Sequence, residues 1–166
     1  MDLDIQYVAG LFDGEGWITI VKQQLGGYRH YNDHYVRYQL AVGIGMTNKP
    51  VIEKMHRQFG GGFFLKQPDL IKMPKSRLGY MWKLSSQPAA KFLGLVAPHM
   101  IVKKDEAEVA IEFQKHVRKH INDFRYRPEM RDALYAERDV FHRHLLVLKK
   151  RTFESPVGSD PISEAA

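Results

Sequence analysis

The sequence contains no cysteine. That absence excludes disulfides and every zinc site built on thiolates. No apolar run approaches the ~20 residues that a membrane-spanning helix requires. Acidic Asp2 and Asp4 open the chain, and no positively charged segment precedes an apolar one, which argues against a secretory leader. Lipidation motifs are also missing. These absences together lead us to expect an intracellular protein, cytoplasmic or organellar, that is neither secreted nor held in a membrane.

What is present fits one compact domain. The chain has 166 residues, 44% of them hydrophobic, enough to build a real core. We expect that domain over residues 1–150. A Ser-, Pro- and acid-rich tail over 151–166 is expected to be mobile. Lysine and arginine number 25 against 19 acids, a net charge of +6 with a pI near 9.5. Such a balance favours nucleic acid or an acidic surface as partner.

Apolar residues at Ile5, Val8, Leu11 and Phe12 have helical spacing, and Asp2 or Asp4 can cap that helix. Asp13-Gly14-Glu15-Gly16 should end it. Trp17 to Gln24 then reads as a strand. Tyr35 to Met46 alternates clearly, with Tyr38, Leu40, Val42, Ile44 and Met46 on one face and Arg37, Gln39, Ala41, Gly43 and Gly45 on the other. Thr47-Asn48-Lys49-Pro50 starts a helix over Val51 to Phe59, which Gly60-Gly61-Gly62 stops. Phe63 to Gln67 and Tyr80 to Leu84 form a second strand pair, and Ser85-Ser86-Gln87-Pro88 starts a helix over Ala89 to Val96. An amphipathic helix follows over Glu106 to Ile121, and Pro128 opens a last one. The expected fold class is α+β, a four-stranded antiparallel sheet with helices on one face, in the order αββαββα plus C-terminal helices.

Gly10 and Gly14 lie four apart on the first helix and share a face. Two positions without side chains let another backbone come close, either within the protein's own core or from a partner. Glu15 follows at once, held between Gly14 and Gly16. Paired with its copy in a partner, such a carboxylate would want a cation nearby.

The segment Val8-Ala9-Gly10-Leu11-Phe12-Asp13-Gly14-Glu15-Gly16 resembles the nine-residue motif of the LAGLIDADG homing endonucleases. Ala9, Gly10, Leu11, Asp13 and Gly16 match it by letter. Glu15 stands for the final Asp, with a longer arm and the same charge. The resemblance extends over about residues 4 to 121. It implies a homodimer joined through the motif helices, with Ala9, Gly10, Asp13 and Gly14 at the interface and Asp13 tying the helix end to its surroundings. It also implies hydrolysis of double-stranded DNA at a long, nearly palindromic site, with intron or intein mobility as the setting. Glu15 and the Gly14 carbonyl would hold Mg²⁺ or Mn²⁺, whereas Ca²⁺ would bind without supporting cleavage. Asn48 falls where the family places a water-ordering residue, but it can equally cap the following helix. Lys103 falls where the family places a lysine that stabilises transition-state charge, with Lys104 as a competitor.

The same resemblance makes the outer sheet face a DNA saddle. On it we expect Thr19, Val21 and Gln23, then Arg37, Gln39, Ala41 and Gly43, then Leu65, Gln67, Met81 and Lys83, provided that Phe64 is core. Arg and Gln can read bases in the major groove. Arg29, Lys66, Lys72, Lys75 and Arg77 lie in or near loops, where phosphate contact is natural. A non-cleaving regulator or an intron-RNA maturase on the same scaffold is the alternative, and RNA would then be a partner. His116 and His120 have metal-ligand spacing but no third ligand, so a solvated helix face is the better reading.

Overall fold

The computed structural model describes residues 2–24, 36–67 and 77–151. Helix α1 (Ile5–Glu15) is capped by Asp4, whose carboxylate accepts from the backbone N–H groups of Gln6 and Tyr7 at 2.8 and 3.2 Å. It passes without a loop into β1 (Gly16–Gln24), and β2 (Val36–Met46) follows. Next come α2 (Lys49–Phe59), β3 (Gly62–Lys66), β4 (Gly79–Ser85) and α3 (Ser86–Val96). The C-terminal part holds α4 (Lys104–Lys119), the short α5 (Ile121–Tyr126) and the long α6 (Arg131–Arg151). The expected α+β class and helix–strand order are therefore observed, with α5 as an added element.

The four strands form one antiparallel sheet in the order β1-β2-β4-β3. Alternation puts Ile18, Ile20, Leu40, Val42, Ile44, Trp82 and Leu84 on its inner face, all buried. The helices cover that face. Phe92 of α3 is the hub of an aromatic cluster, with ring centroids 4.9 Å from Trp82 and 5.1 Å from both Phe12 and Phe59. The Trp82 indole N–H donates to the Gly60 carbonyl at 2.7 Å, so this buried ring leaves no polar atom unsatisfied.

The register of β3 corrects one expectation. Phe63 faces Trp82 and Leu65 faces Tyr80, on the core side, while Phe64 faces Met81 on the outer side. The register alone makes this assignment, because at this short edge strand both Phe64 and Leu65 are largely exposed. Two adjacent aromatics carry no alternation, so the sequence does not say which one points inward. Leu65 thus leaves the saddle set, and so does Gln67, which has the same parity and lies just past the strand. Phe64 and Lys66 take their places.

Helix α6 runs along β1, the edge strand. The His142 imidazole Nδ1 lies 2.8 Å from the Ile20 carbonyl oxygen and, facing an acceptor, must carry the hydrogen. Nearer the far end of β1, Asp139 accepts from Lys22 at 2.6 Å and from the Tyr38 hydroxyl at 2.8 Å, and pairs with Arg143 at 3.0 Å.

Candidate active site and nucleic-acid interface

The corner between α1 and β1 positions the first candidate residue. Gly16 begins the strand directly against the last helical turn, and a Cβ there would come within 2.5 Å of the Phe12 ring and carbonyl. Only glycine fits. Glu15 is therefore the last helical residue, exposed at the end of the sheet where β1 starts.

Asp13 and Lys103 tie this corner to α4. The Asp13 carboxylate accepts from the backbone N–H groups of Ile101 at 2.6 Å, Val102 at 3.2 Å and Lys103 at 3.0 Å. Partial burial works against its charge, but these three donors and the nearby Lys103 ammonium outweigh it, and its pKa lies below the ordinary Asp value. The Lys103 ammonium in turn donates to the carbonyls of Phe12, at 3.4 Å, and of Asp13. A cation on the last carbonyls of α1 complements the negative end of the helix. Lys103, rather than its neighbour Lys104, is thus brought within two residues of Glu15.

The proposed interface set divides. Ala9 is fully buried in the core of its own chain and so offers no surface to a partner, whereas Asp13 is half-buried with its carboxylate turned toward residues 101–103. Ala9 and Asp13 share one helix face, whereas Gly10 and Gly14 share the next. Both glycines are exposed, and a Cβ on either would meet no atom within 4 Å. The core of the chain therefore makes no demand for glycine at these positions. Tyr7 at 50% and Leu95 at 54% exposure, on α1 and α3, add apolar surface, as does Ile101 at 89%.

Asn48 serves as the cap of α2, its side-chain oxygen accepting from the Val51 N–H at 3.3 Å. It lies beyond Met46, at the end of β2 that pairs with the start of β1, and so at the same end of the sheet as Glu15.

The outer sheet face carries Thr19, Val21 and Gln23 from β1, with Val21 and Gln23 exposed. Gln23 faces the exposed Arg37, and Val21 faces Gln39, whose amide donates to the Ser86 hydroxyl at 3.1 Å. Ala41 and Gly43 correct a further expectation, since both are buried. A Cβ on Gly43 would come within 2.6 Å of the Trp17 indole, which lies across β2 at this point. Lys83, facing Gly43 from the other side, places its ammonium 6.0 Å from the Trp17 ring centroid. A tryptophan, not bare backbone, therefore forms the surface next to Glu15. The outward parity of residue 17 was the available signal. Met81 and Lys83 are half-buried and point outward, and Arg77 is exposed. Arg29, Lys72 and Lys75 lie outside the described residues.

Among the described residues no three His, Asp or Glu side chains gather as a metal site. His116 stacks against His120 with centroids 4.8 Å apart, and His120 pairs with Asp123 at 3.1 Å. None of the helices is long and apolar enough to cross a membrane, among the described residues.

No family model and no curated protein matches the sequence. Solved structures do match, and they are LAGLIDADG homing endonucleases. I-CvuI, solved in complex with the I-CreI target and 2 mM Mg with the DNA not cleaved, superimposes with a TM-score of 0.63 at 12% identity, over 87% of this chain and 80% of that one. The archaeal intron-encoded I-Vdi141I, complexed with DNA, gives 0.62 at 19% identity, over 96% and 88%. I-TnaI gives 0.57 at 13% identity, over 91% and 99%. The chain has the LAGLIDADG homing endonuclease fold.

Proposed function

We propose that the protein is a site-specific, divalent-metal-dependent DNA endonuclease that acts as a homodimer. The observation that carries this reading is the outward face of α1. Two exposed glycines, each costing about 1 kcal/mol of helix stability relative to alanine, have room for a side chain among the described residues, so their own chain's packing there does not require them. They become useful when a second α1 packs against them, in a closed two-fold arrangement. That packing would bring the two Glu15 carboxylates together at the centre of a double saddle.

The donor set fits a hard cation. One chain offers Glu15 and the exposed Gly14 backbone, and the partner's copy and DNA phosphates would complete the oxygen ligands. Mg²⁺ tolerates so few protein ligands because it retains water and binds phosphate. The metal would supply an activated water and stabilise the leaving oxygen. In this chain Glu15 would hold it, and Lys103 would place positive charge beside the reacting phosphate. The sheet would read sequence through Gln23, Arg37 and Lys83, with Trp17 and Phe64 as apolar contacts. A nine- to eleven-residue strand spans about 30–36 Å, comparable to about ten base pairs per subunit and on the order of 20 for the site. The cell interior is the proposed location.

The test is digestion of a randomised DNA library with Mg²⁺ and sequencing of the new ends. Paired cuts within a nearly palindromic site are expected, with Mn²⁺ able to replace Mg²⁺ and Ca²⁺ supporting binding alone. Ends distributed at random would reject a site-specific endonuclease.

A further inference from the structure

Helix α3 follows β4 with no loop between them, and the join is strained. β4 stops pairing with β2 at the Ala41–Ser85 pair, and Ser86 opens the helix. Ser86 has a φ of 55°, the one positive value at a non-glycine residue among the described residues. Such a conformation is unfavourable for a residue with a Cβ and persists where the surroundings enforce it. Capping of α3 does not account for it, since Ser85 in the N-cap position makes no side-chain capping bond. What the Ser86 hydroxyl does reach is Gln39, whose amide nitrogen donates to it at 3.1 Å.

Gln39 lies on the outer face of β2, opposite Val21 on β1. On its other flank β4 has already turned into α3. A free glutamine amide offers two N–H donors and an acceptor oxygen. The Ser86 hydroxyl takes one of those donors. One N–H and the oxygen remain, the pair that the major-groove edge of adenine requires, with the N–H for N7 and the oxygen for the N6 amino group. Guanine presents two acceptors there, N7 and O6, and would need both N–H groups. The held amide has only one to give. Ser86 thus fixes the amide and withdraws the donor that would suit the other purine.

We infer that Ser86 is a positioning residue that sets Gln39 to read adenine in preference to guanine. This role rests on the endonuclease reading and adds a specificity determinant to it. Gln39 stands five positions along β2 from Ile44, the partner of Gly16 at the Glu15 corner. Five strand residues span about 17 Å. At about 3.4 Å per base pair, the adenine lies about five base pairs outward from the cleavage corner in each half-site.

The test uses full-length protein and the DNA site selected from the library. Binding in Ca²⁺ is measured on versions of the site carrying each of the four base pairs at every symmetric position, together with the thermal midpoint of each variant. Gln39→Ala should lose an adenine preference at one symmetric pair of positions. Ser86→Gly and Ser86→Ala should lower discrimination against guanine at that same pair by about five- to a hundredfold, with the other positions unchanged. Glycine suits a positive φ, so Ser86→Gly should keep or raise the thermal midpoint while it loses specificity. Ser86→Asn tolerates positive φ and offers an acceptor oxygen, and should recover part of the discrimination. If Ser86→Gly and Ser86→Ala keep the parent profile, or lose preference evenly at all positions, the inference is overturned. An unchanged profile in Gln39→Ala overturns it as well. In each of these cases the endonuclease reading stands as long as the parent cuts its site. If the parent protein binds the DNA but never cuts it, the endonuclease reading fails, and the binding profile alone decides the role of Ser86. A parent protein that binds no DNA overturns both.

Discussion

The inward and outward faces of α1 differ in what holds them. Inward, Ala9 is sealed in the core and Asp13 is satisfied by three backbone donors. Outward, Gly10 and Gly14 face open space, and Glu15 stands exposed at the corner. Two acids only two residues apart therefore do different work. Asp13 is held by the fold, whereas Glu15 is left available for chemistry. Proteins that satisfy their internal polar groups and leave one carboxylate exposed beside a fastened lysine commonly do so where they act on a ligand.

The largest expected effect falls on the outward side. Glu15→Gln keeps shape and removes the charge that would hold the metal. Cleavage of the selected site should fall by on the order of 10²–10³ or more, while DNA binding in Ca²⁺ and the thermal midpoint stay near the parent values. Full cleavage by the purified variant would remove Glu15 from the site.

The comparison sharpens with a pair of substitutions one residue apart. Ala9→Leu overpacks a sealed position and should cost about 1–3 kcal/mol of stability or more. Gly10→Leu meets open space in its own chain and improves helix propensity, so the fold should survive. What it should break is self-association, giving monomers by analytical ultracentrifugation. A Gly10→Leu protein that remains a tight dimer would place the interface elsewhere.

The smallest effect concerns acid stability. The pKa of Asp13 in the folded state lies below its ordinary value of 3.8. Its contribution is present above that value and is lost as pH falls through the folded pKa. Asp13→Asn should cost about 1–3 kcal/mol near neutral pH and flatten part of the acid limb of a urea-midpoint titration. The limb should not vanish, because Asp139, held by Lys22, Tyr38 and Arg143, is lowered in the same direction. An unchanged acid limb would mean that the contacts of Asp13 with residues 101–103 do not form in solution.

Much of this was legible in the sequence. The apolar spacing and capping residue located α1, strict alternation located β2 and its buried face, and the motif pointed to Glu15 and Lys103. The parts that failed share one physical cause, which is that they depend on the neighbour and not on the residue. Phe63 and Phe64 are chemically alike, so only pairing with β4 decides which one is core. Ala9 and Gly10 are both small, and only the packing of α1 against the sheet and α3 tells them apart. Gly43 reads as an opening until the Trp17 indole of the adjacent β1 lies over it. The docking of α6 on β1 carries no local signal at all, because its contacts join residues more than a hundred positions apart.

That docking has a consequence for solubility. β1 ends the sheet on one side, and an edge strand offers its unpaired carbonyl and amide groups to any extended chain that meets it. The His142 imidazole occupies the Ile20 carbonyl, and the body of α6 lies along the strand, so this flank is closed to strand addition. The opposite edge, β3, is only five residues long and ends in Lys66, which makes it a poor template. The sheet can therefore keep one broad face bare without its margins recruiting other copies into aggregates.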